Sequence, residues 1–155
     1  MPHWDTKRPH GSEPESFLAL DYGQRRLGLA VYDAATRWLA PIPELTRGTD
    51  LARDLASLRT LVVERELRAV VLGLPLALDG KPTLSTRRAI RFGQALERAL
   101  GVPVHLVDER LSSVAGGRAL RELDLSGRDD SQSAKIIGEV YLAQWSRAAG
   151  VHPRG

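Results

Sequence analysis

Three observations place this chain in the α/β class, built on one mixed sheet. Short apolar runs that suit strands buried on both faces recur at Phe17–Leu20, Ala69–Leu74 and Val102–Val107. Amphipathic stretches alternate with the later runs, as parallel strands joined by crossover helices require. Two further strand-like runs follow the first at hairpin distance, the mark of an antiparallel meander. The expected architecture is a five-stranded mixed sheet, a three-strand antiparallel meander plus two parallel strands, flanked by helices.

Residues 1–15 mix Pro, His, Gly, Ser and charges without periodicity and read as a flexible N-terminal tail. One domain of ordinary size, 16–150, follows, with no linker or internal repeat. Its first strand covers about 16–21 and its second Leu27–Tyr32, across a polar hinge in which Gly23 and Gly28 permit a turn and a close approach. Arg37–Ile42 is expected as a third strand, cut short by Pro41 and Pro43 and therefore at an edge.

Thr49 and Asp50 offer an N-cap to a helix over 50–67, with Leu51, Leu55, Leu58, Val62 and Leu67 as its apolar stripe. A strand over 69–75 is closed by Pro75, and Asp79-Gly80 marks a turn. The next helix, 84–100, carries Ile90, Ala95, Leu96, Ala99 and Leu100 and stops at Gly101. The strand 102–107 ends at Asp108-Glu109-Arg110. Ser112 or Ser113 caps a short helix to Leu123, and 124–128 leads into a last helix over 130–148 with Ala134, Ile137, Tyr141, Leu142 and Trp145 on one side.

Of the 155 residues, 43% are hydrophobic and 26% charged, the balance of a soluble globular protein. The absence of cysteine excludes disulfides, thiolate metal sites and a cysteine nucleophile. No apolar stretch approaches a membrane span, and the N-terminus lacks a signal-peptide core, so a cytoplasmic protein without a membrane partner is expected. The net charge of +3 is modest, but the basic residues are 19 arginines and only three lysines, Lys7, Lys81 and Lys135. Arginine suits bidentate phosphate contacts. A codon bias explains the same count, so charge permits a nucleic-acid partner without requiring one.

Three acidic positions fall at comparable places. Asp21 ends the first strand, Glu109 the last strand, and Asp130 opens the last helix. Ligands of open α/β sheets gather at the carboxyl ends of the strands. Carboxylates without cysteine and with few histidines make a hard oxygen site suited to Mg²⁺ or Mn²⁺, one or two ions that steady a phosphoryl transition state. Plainer explanations stand beside each residue. Asp21 alone is explained equally well as an acceptor of turn N–H groups. Asp129 or Asp130 serves as well as a helix cap. Asp108 competes with Glu109, since neighbours on a strand point to opposite faces. His3, His10, His105 and His152 are scattered, and no phosphate-binding glycine loop or nucleophile elbow is present.

The run Leu20-Asp21-Tyr22-Gly23-Gln24-Arg25-Arg26-Leu27-Gly28-Leu29-Ala30-Val31 closely resembles the signature of the bacterial YqgF proteins. Gly73-Leu74-Pro75 with Asp79-Gly80, then Val107-Asp108-Glu109-Arg110-Leu111-Ser112-Ser113, and Asp130 eleven residues before Tyr141-Leu142 are similar to the family's later motifs, in the same order. That family consists of Holliday-junction-resolvase-like nucleases with an RNase H fold, associated with pre-16S rRNA. The resemblance implies that Asp21, Glu109 and Asp130 are the catalytic metal ligands, that Arg25, Arg26 and Arg110 contact phosphate, and that Gly73 and Pro75 shape the cleft rim. It implies metal-dependent phosphodiester hydrolysis of precursor rRNA, with a four-way DNA junction as the alternative substrate, by a monomer or homodimer. A non-catalytic nucleic-acid-binding assembly factor is the alternative of another class. An actin-like ATPase, which also opens on D-x-G, needs two such domains. Ser133 and Gly138 depart from the family pattern, and Gly138 is expected to loosen the last helix by about 1 kcal/mol.

Overall fold

The structure, a computed structural model, describes residues 13–110 and 130–148. Strands β1 (Phe17–Tyr22), β2 (Arg26–Asp33) and β3 (Trp38–Thr46) form the meander. Helix α1 (Leu51–Glu64) leads to β4 (Ala69–Leu74), and α2 (Leu84–Leu100) to β5 (Val104–Asp108). Helix α3 (Asp130–Ala148) closes the described chain. The sheet order is β3-β2-β1-β4-β5, antiparallel within the meander and parallel from β1 to β5. This is the expected five-stranded mixed sheet, with β1 at its centre.

Strand alternation divides the core into two layers. Phe17, Ala19, Ala30, Tyr32, Val71 and Val107 face α3, where they meet Ala134, Ile137, Val140, Tyr141 and Trp145. Leu18, Leu20, Leu27, Leu29 and Leu72 face the other way, onto Leu58, Val62, Phe92 and Leu96 of α1 and α2. Phe17–Leu20 are therefore wholly buried, and each large side chain contributes about 1.5–3 kcal/mol. That is why β1 reads as a continuous apolar run.

Several expectations are corrected. β3 does not stop at its prolines but runs to Thr46. Pro43 and Glu44 form the bulge between the Leu29–Ile42 and Leu27–Leu45 pairs, and β3 lies at a sheet edge, two places where a residue without an N–H is tolerated. α1 ends at Glu64, and Leu67 is buried from the following turn, its N–H bonded to the Val62 carbonyl (2.9 Å). Asp50 is the N-cap, accepting from Ala52 N–H at 3.0 Å. The buried stripe of α1 includes Asp54 in place of Leu51, which is 45% exposed. β5 begins at Val104 rather than at residue 102.

α2 matches its expected bounds, with a Thr83–Thr86 capping box at its start and Gly101 in the left-handed conformation (φ +70°) at its end. Gly138 stands where α3 crosses β1 and β3. A Cβ there would lie 3.0 Å from both Leu39 methyls and 3.4 Å from the Ala19 Cβ, so the glycine lets the helix approach β1 and β3. The short helix expected from Ser112 or Ser113 falls outside the described residues, as do residues 1–12 of the tail. Among the described residues no helix is long and apolar enough to cross a membrane.

Candidate active site at the carboxyl edge of the sheet

Asp21 is half-buried on β1, opposite Gly28 of β2. Alternation from Phe17 and Ala19 sends its side chain to the α3 face. β1 and β4 are parallel, so the carboxyl ends of β1, β4 and β5 meet along one edge of the sheet.

Glu109 stands one residue beyond β5, on the same side as His105 and Val107 by the same alternation. Its carboxylate lies across the backbone of Gly73, the residue of β4 paired with Val107. A Cβ at Gly73 would fall 2.9 Å from Glu109 Oε1 and 3.0 Å from its Cγ, and would overlap Ile137 of α3. Glycine at this strand position is a cradle for the acid.

Asp108 points to the opposite face and is committed elsewhere. Arg110 donates from Nε (3.1 Å) and Nη2 (2.6 Å) to its carboxylate, and the Arg110 N–H adds a third kind of contact at 2.9 Å. The same guanidinium donates to the Leu78 carbonyl at 3.3 Å and packs against Gly80, which adopts φ +85°. The hydrogen bond to Asp108 holds the Arg110 pKa above its ordinary value. Geometry thus separates the two neighbours that sequence left open. Arg110, expected beside a phosphate, braces the rim loop after Pro75 against the end of β5.

Asp130 is the first residue of α3; its side chain and residue Asp129 lie outside the described set. Its backbone position is fixed by buried Ser131, whose hydroxyl donates to the Ile42 carbonyl (2.6 Å) and accepts from Leu29 N–H (3.4 Å). Leu29 adjoins Gly28, the partner of Asp21, so the start of α3 sits over the same end of the sheet. Among the described residues no group of three His, Cys, Asp or Glu is placed to hold an ion. Arg25 and Arg26 are exposed on the hinge, and Arg26 Nη1 lies 3.4 Å from Glu44.

Sequence reasoning missed Arg47 and Asp54. Arg47 donates from Nη1 to the Gly23 carbonyl (3.1 Å) and from Nε to Asp54 (3.3 Å), and its backbone N–H bonds the Arg25 carbonyl (2.8 Å). Its guanidinium lies over the rings of Tyr22 (5.1 Å) and Phe92 (5.3 Å), within cation–π range. Asp54, only 4% exposed, also accepts from Gly48 N–H at 3.0 Å. The network fixes the hinge that follows Asp21 and Tyr22. The sole sequence signal was an aspartate on the apolar stripe of α1.

A mixed five-stranded RNase H-like sheet with acids along its carboxyl edge defines the class. The fold is that of the RuvC protein of Thermus thermophilus, whose structure with a Holliday junction substrate superposes with a TM-score of 0.61 at 15% identity, covering 87% of this chain and 96% of that one. A second Thermus thermophilus RuvC structure gives a TM-score of 0.55 at 12% identity, over 88% and 97%. Within that class the chain belongs to the RuvX family, described as Holliday junction resolvase, whose family model matches residues 15–144. Relatives provisionally named pre-16S rRNA nuclease include one from Maridesulfovibrio salexigens, 41% identical across 82% of this chain and 97% of its own. Another, from Prochlorococcus marinus, is 39% identical across 90% and 86%.

Proposed function

We propose that this chain is a metal-dependent nuclease that hydrolyses phosphodiester bonds in structured nucleic acid, acting at the 5′ end of precursor 16S rRNA in ribosome biogenesis. The observation that carries this is the delivery of Asp21 and Glu109 to the same face and the same edge of the sheet, one by β1 and one by the residue after β5. The names of the relatives at about 40% identity supply the substrate.

The pair fits a hard divalent cation. Both donors are carboxylate oxygens, and the missing Cβ at Gly73 leaves room for the Glu109 carboxylate at the edge. Asp21 and Glu109, with Asp130 at the head of α3, would hold one or two Mg²⁺ or Mn²⁺ ions. Such ions activate water and offset charge developing on the phosphoryl oxygens. The chain's own contribution is positioning. Arg47 fixes the hinge, Ser131 fixes the start of α3, and exposed Arg25 and Arg26 take phosphate oxygens beside Asp21.

A second substrate, the four-way DNA junction, is favoured by the family description. Two symmetric cuts call for two related sites and hence a dimer. Purified protein with Mg²⁺ is expected to shorten precursor 16S rRNA at its 5′ end and to leave a four-way junction intact. Junction resolution by a dimer, with precursor untouched, would select the second substrate; binding of either without cleavage in Mg²⁺ or Mn²⁺ would reduce the chain to a scaffold.

A further inference from the structure

The outward face of α2 carries charge that neither the fold nor the carboxylate site accounts for. Thr86, Ala89, Ile90, Phe92, Gly93 and Leu96 are buried against the sheet. On the opposite side, at helical spacing, stand Arg87, Arg88, Arg91 and Arg98, all exposed. No acidic residue shares that face, and among the described residues no ion pair takes up any of the four.

Helix polarity makes the pattern informative. A helix N-terminus is electropositive and favours acidic neighbours. α1 obeys, with Asp50 as its cap and Asp54 in its first turn. α2 does the reverse. Its first turn has no acid, its cap is a neutral Thr83–Thr86 box, and Arg87 and Arg88 enter immediately, with exposed Lys81 in the loop before it. Lys81 stands just before the helix, Arg87 closes its first turn and Arg88 opens its second, a placement that the positive end of the helix does not favour. A general excess of arginine over lysine does not explain the missing acids.

The position is also particular. α2 begins where the β4–α2 loop returns from the carboxyl end of β4, the edge that holds Asp21 and Glu109, and Arg110 braces that loop to the end of β5. We propose that Lys81, Arg87, Arg88 and Arg91 form a second contact surface, which grips the phosphate backbone of the nucleic-acid strand flanking the scissile bond. From Arg87 to Arg91 the helix rises about 6 Å, enough to follow about two nucleotides of one strand. The surface rests on the nuclease reading but makes a separate claim, about which side of the cleft the substrate leaves by.

The test compares two triple variants of equal charge change. Arg87→Gln/Arg88→Gln/Arg91→Gln removes the surface; Arg59→Gln/Arg65→Gln/Arg68→Gln removes three exposed arginines from α1 and from the turn at the opposite edge, before β4. Binding of a fluorescein-labelled RNA hairpin with a single-stranded 5′ extension is read by anisotropy in EDTA across a salt series. The α2 triple is expected to weaken binding about tenfold or more and to lower the slope of log K against log salt by about 2, with the control near wild type. Its melting temperature should be unchanged or raised, since cations leave the positive end of the helix, whereas a structural role would lower it. Equal losses from both triples, or no loss from the α2 triple while wild type binds, overturns the surface and leaves the nuclease reading standing. Failure of wild type to bind at all overturns both.

Discussion

Glu109 rests on Gly73: its Oε1 occupies space that a Cβ on that glycine would enter at 2.9 Å. The contact joins the G-L-P element of β4 to the D-E-R element after β5, two motifs separated by a whole crossover helix. It explains why a residue type that weakens strands stands inside a buried one, next to its carboxyl end.

Gly73→Ala should therefore act on the site as well as on the fold. The new methyl meets Glu109 and Ile137 in a buried strand, and overpacking of this kind costs about 1–3 kcal/mol. With Glu109 in the role proposed for it, displacing its carboxylate by about 1 Å costs about 100-fold in rate. Urea titration with cleavage assays on the same preparation should show a folded protein with at most 1% of wild-type activity; full activity would mean that Glu109 does not need its cradle.

Arg47→Met should destabilise the fold by about 3 kcal/mol, because the Asp54 carboxylate, only 4% exposed, loses its cationic partner. Replacing the pair together, Arg47→Met with Asp54→Leu, should recover much of that loss. Denaturant melts of the single and double variants form the cycle that checks it; additive losses would show the two side chains to be energetically independent.

Most of the fold was legible because it follows from hydrophobic period and turn chemistry. β1 and β4 are buried on both faces and show it as unbroken apolar runs; α2 shows its cap, its stripe and its glycine stop. What was hidden depends on contacts between distant residues. The bulge that carries β3 through Pro43 is set by pairing with β2, and the need for Gly138 is set by Leu39. The choice between Asp108 and Glu109 was open because alternation says only that they diverge. In the fold Arg110 takes Asp108, and Glu109 lies on the other face, beside Gly73. Arg47 looked like one arginine among 19, and only the fold brings it to Gly23.

Gly138→Ala tests that close approach. Helix propensity favours alanine by about 1 kcal/mol, while overpacking against Leu39 and Ala19 costs about 1–3 kcal/mol. The expected net is a small loss of stability in urea. A gain would show that Leu39, on an edge strand, yields to the methyl.

Stability should also depend on pH through His105, which stacks on Tyr141 at 5.5 Å. Burial holds its pKa below the ordinary 6.5, with Glu97 opposing more weakly. On acidification the unfolded chain takes up the proton first. The contribution is therefore complete above about pH 6.5 and shrinks below it until the folded imidazole protonates as well. His105→Phe, which keeps a ring on Tyr141, should flatten the stability profile in that window; an unchanged slope would assign it to other groups.

The central claim is that the carboxylate of Asp21 takes part in cutting nucleic acid rather than merely closing a turn. Asp21→Asn keeps size and turn geometry and removes the charge. Cleavage of precursor 16S rRNA with Mg²⁺ should fall below detection, while RNA binding in EDTA and the melting temperature stay near wild type. Wild-type cleavage by that variant, in a preparation free of host nuclease, would contradict the account.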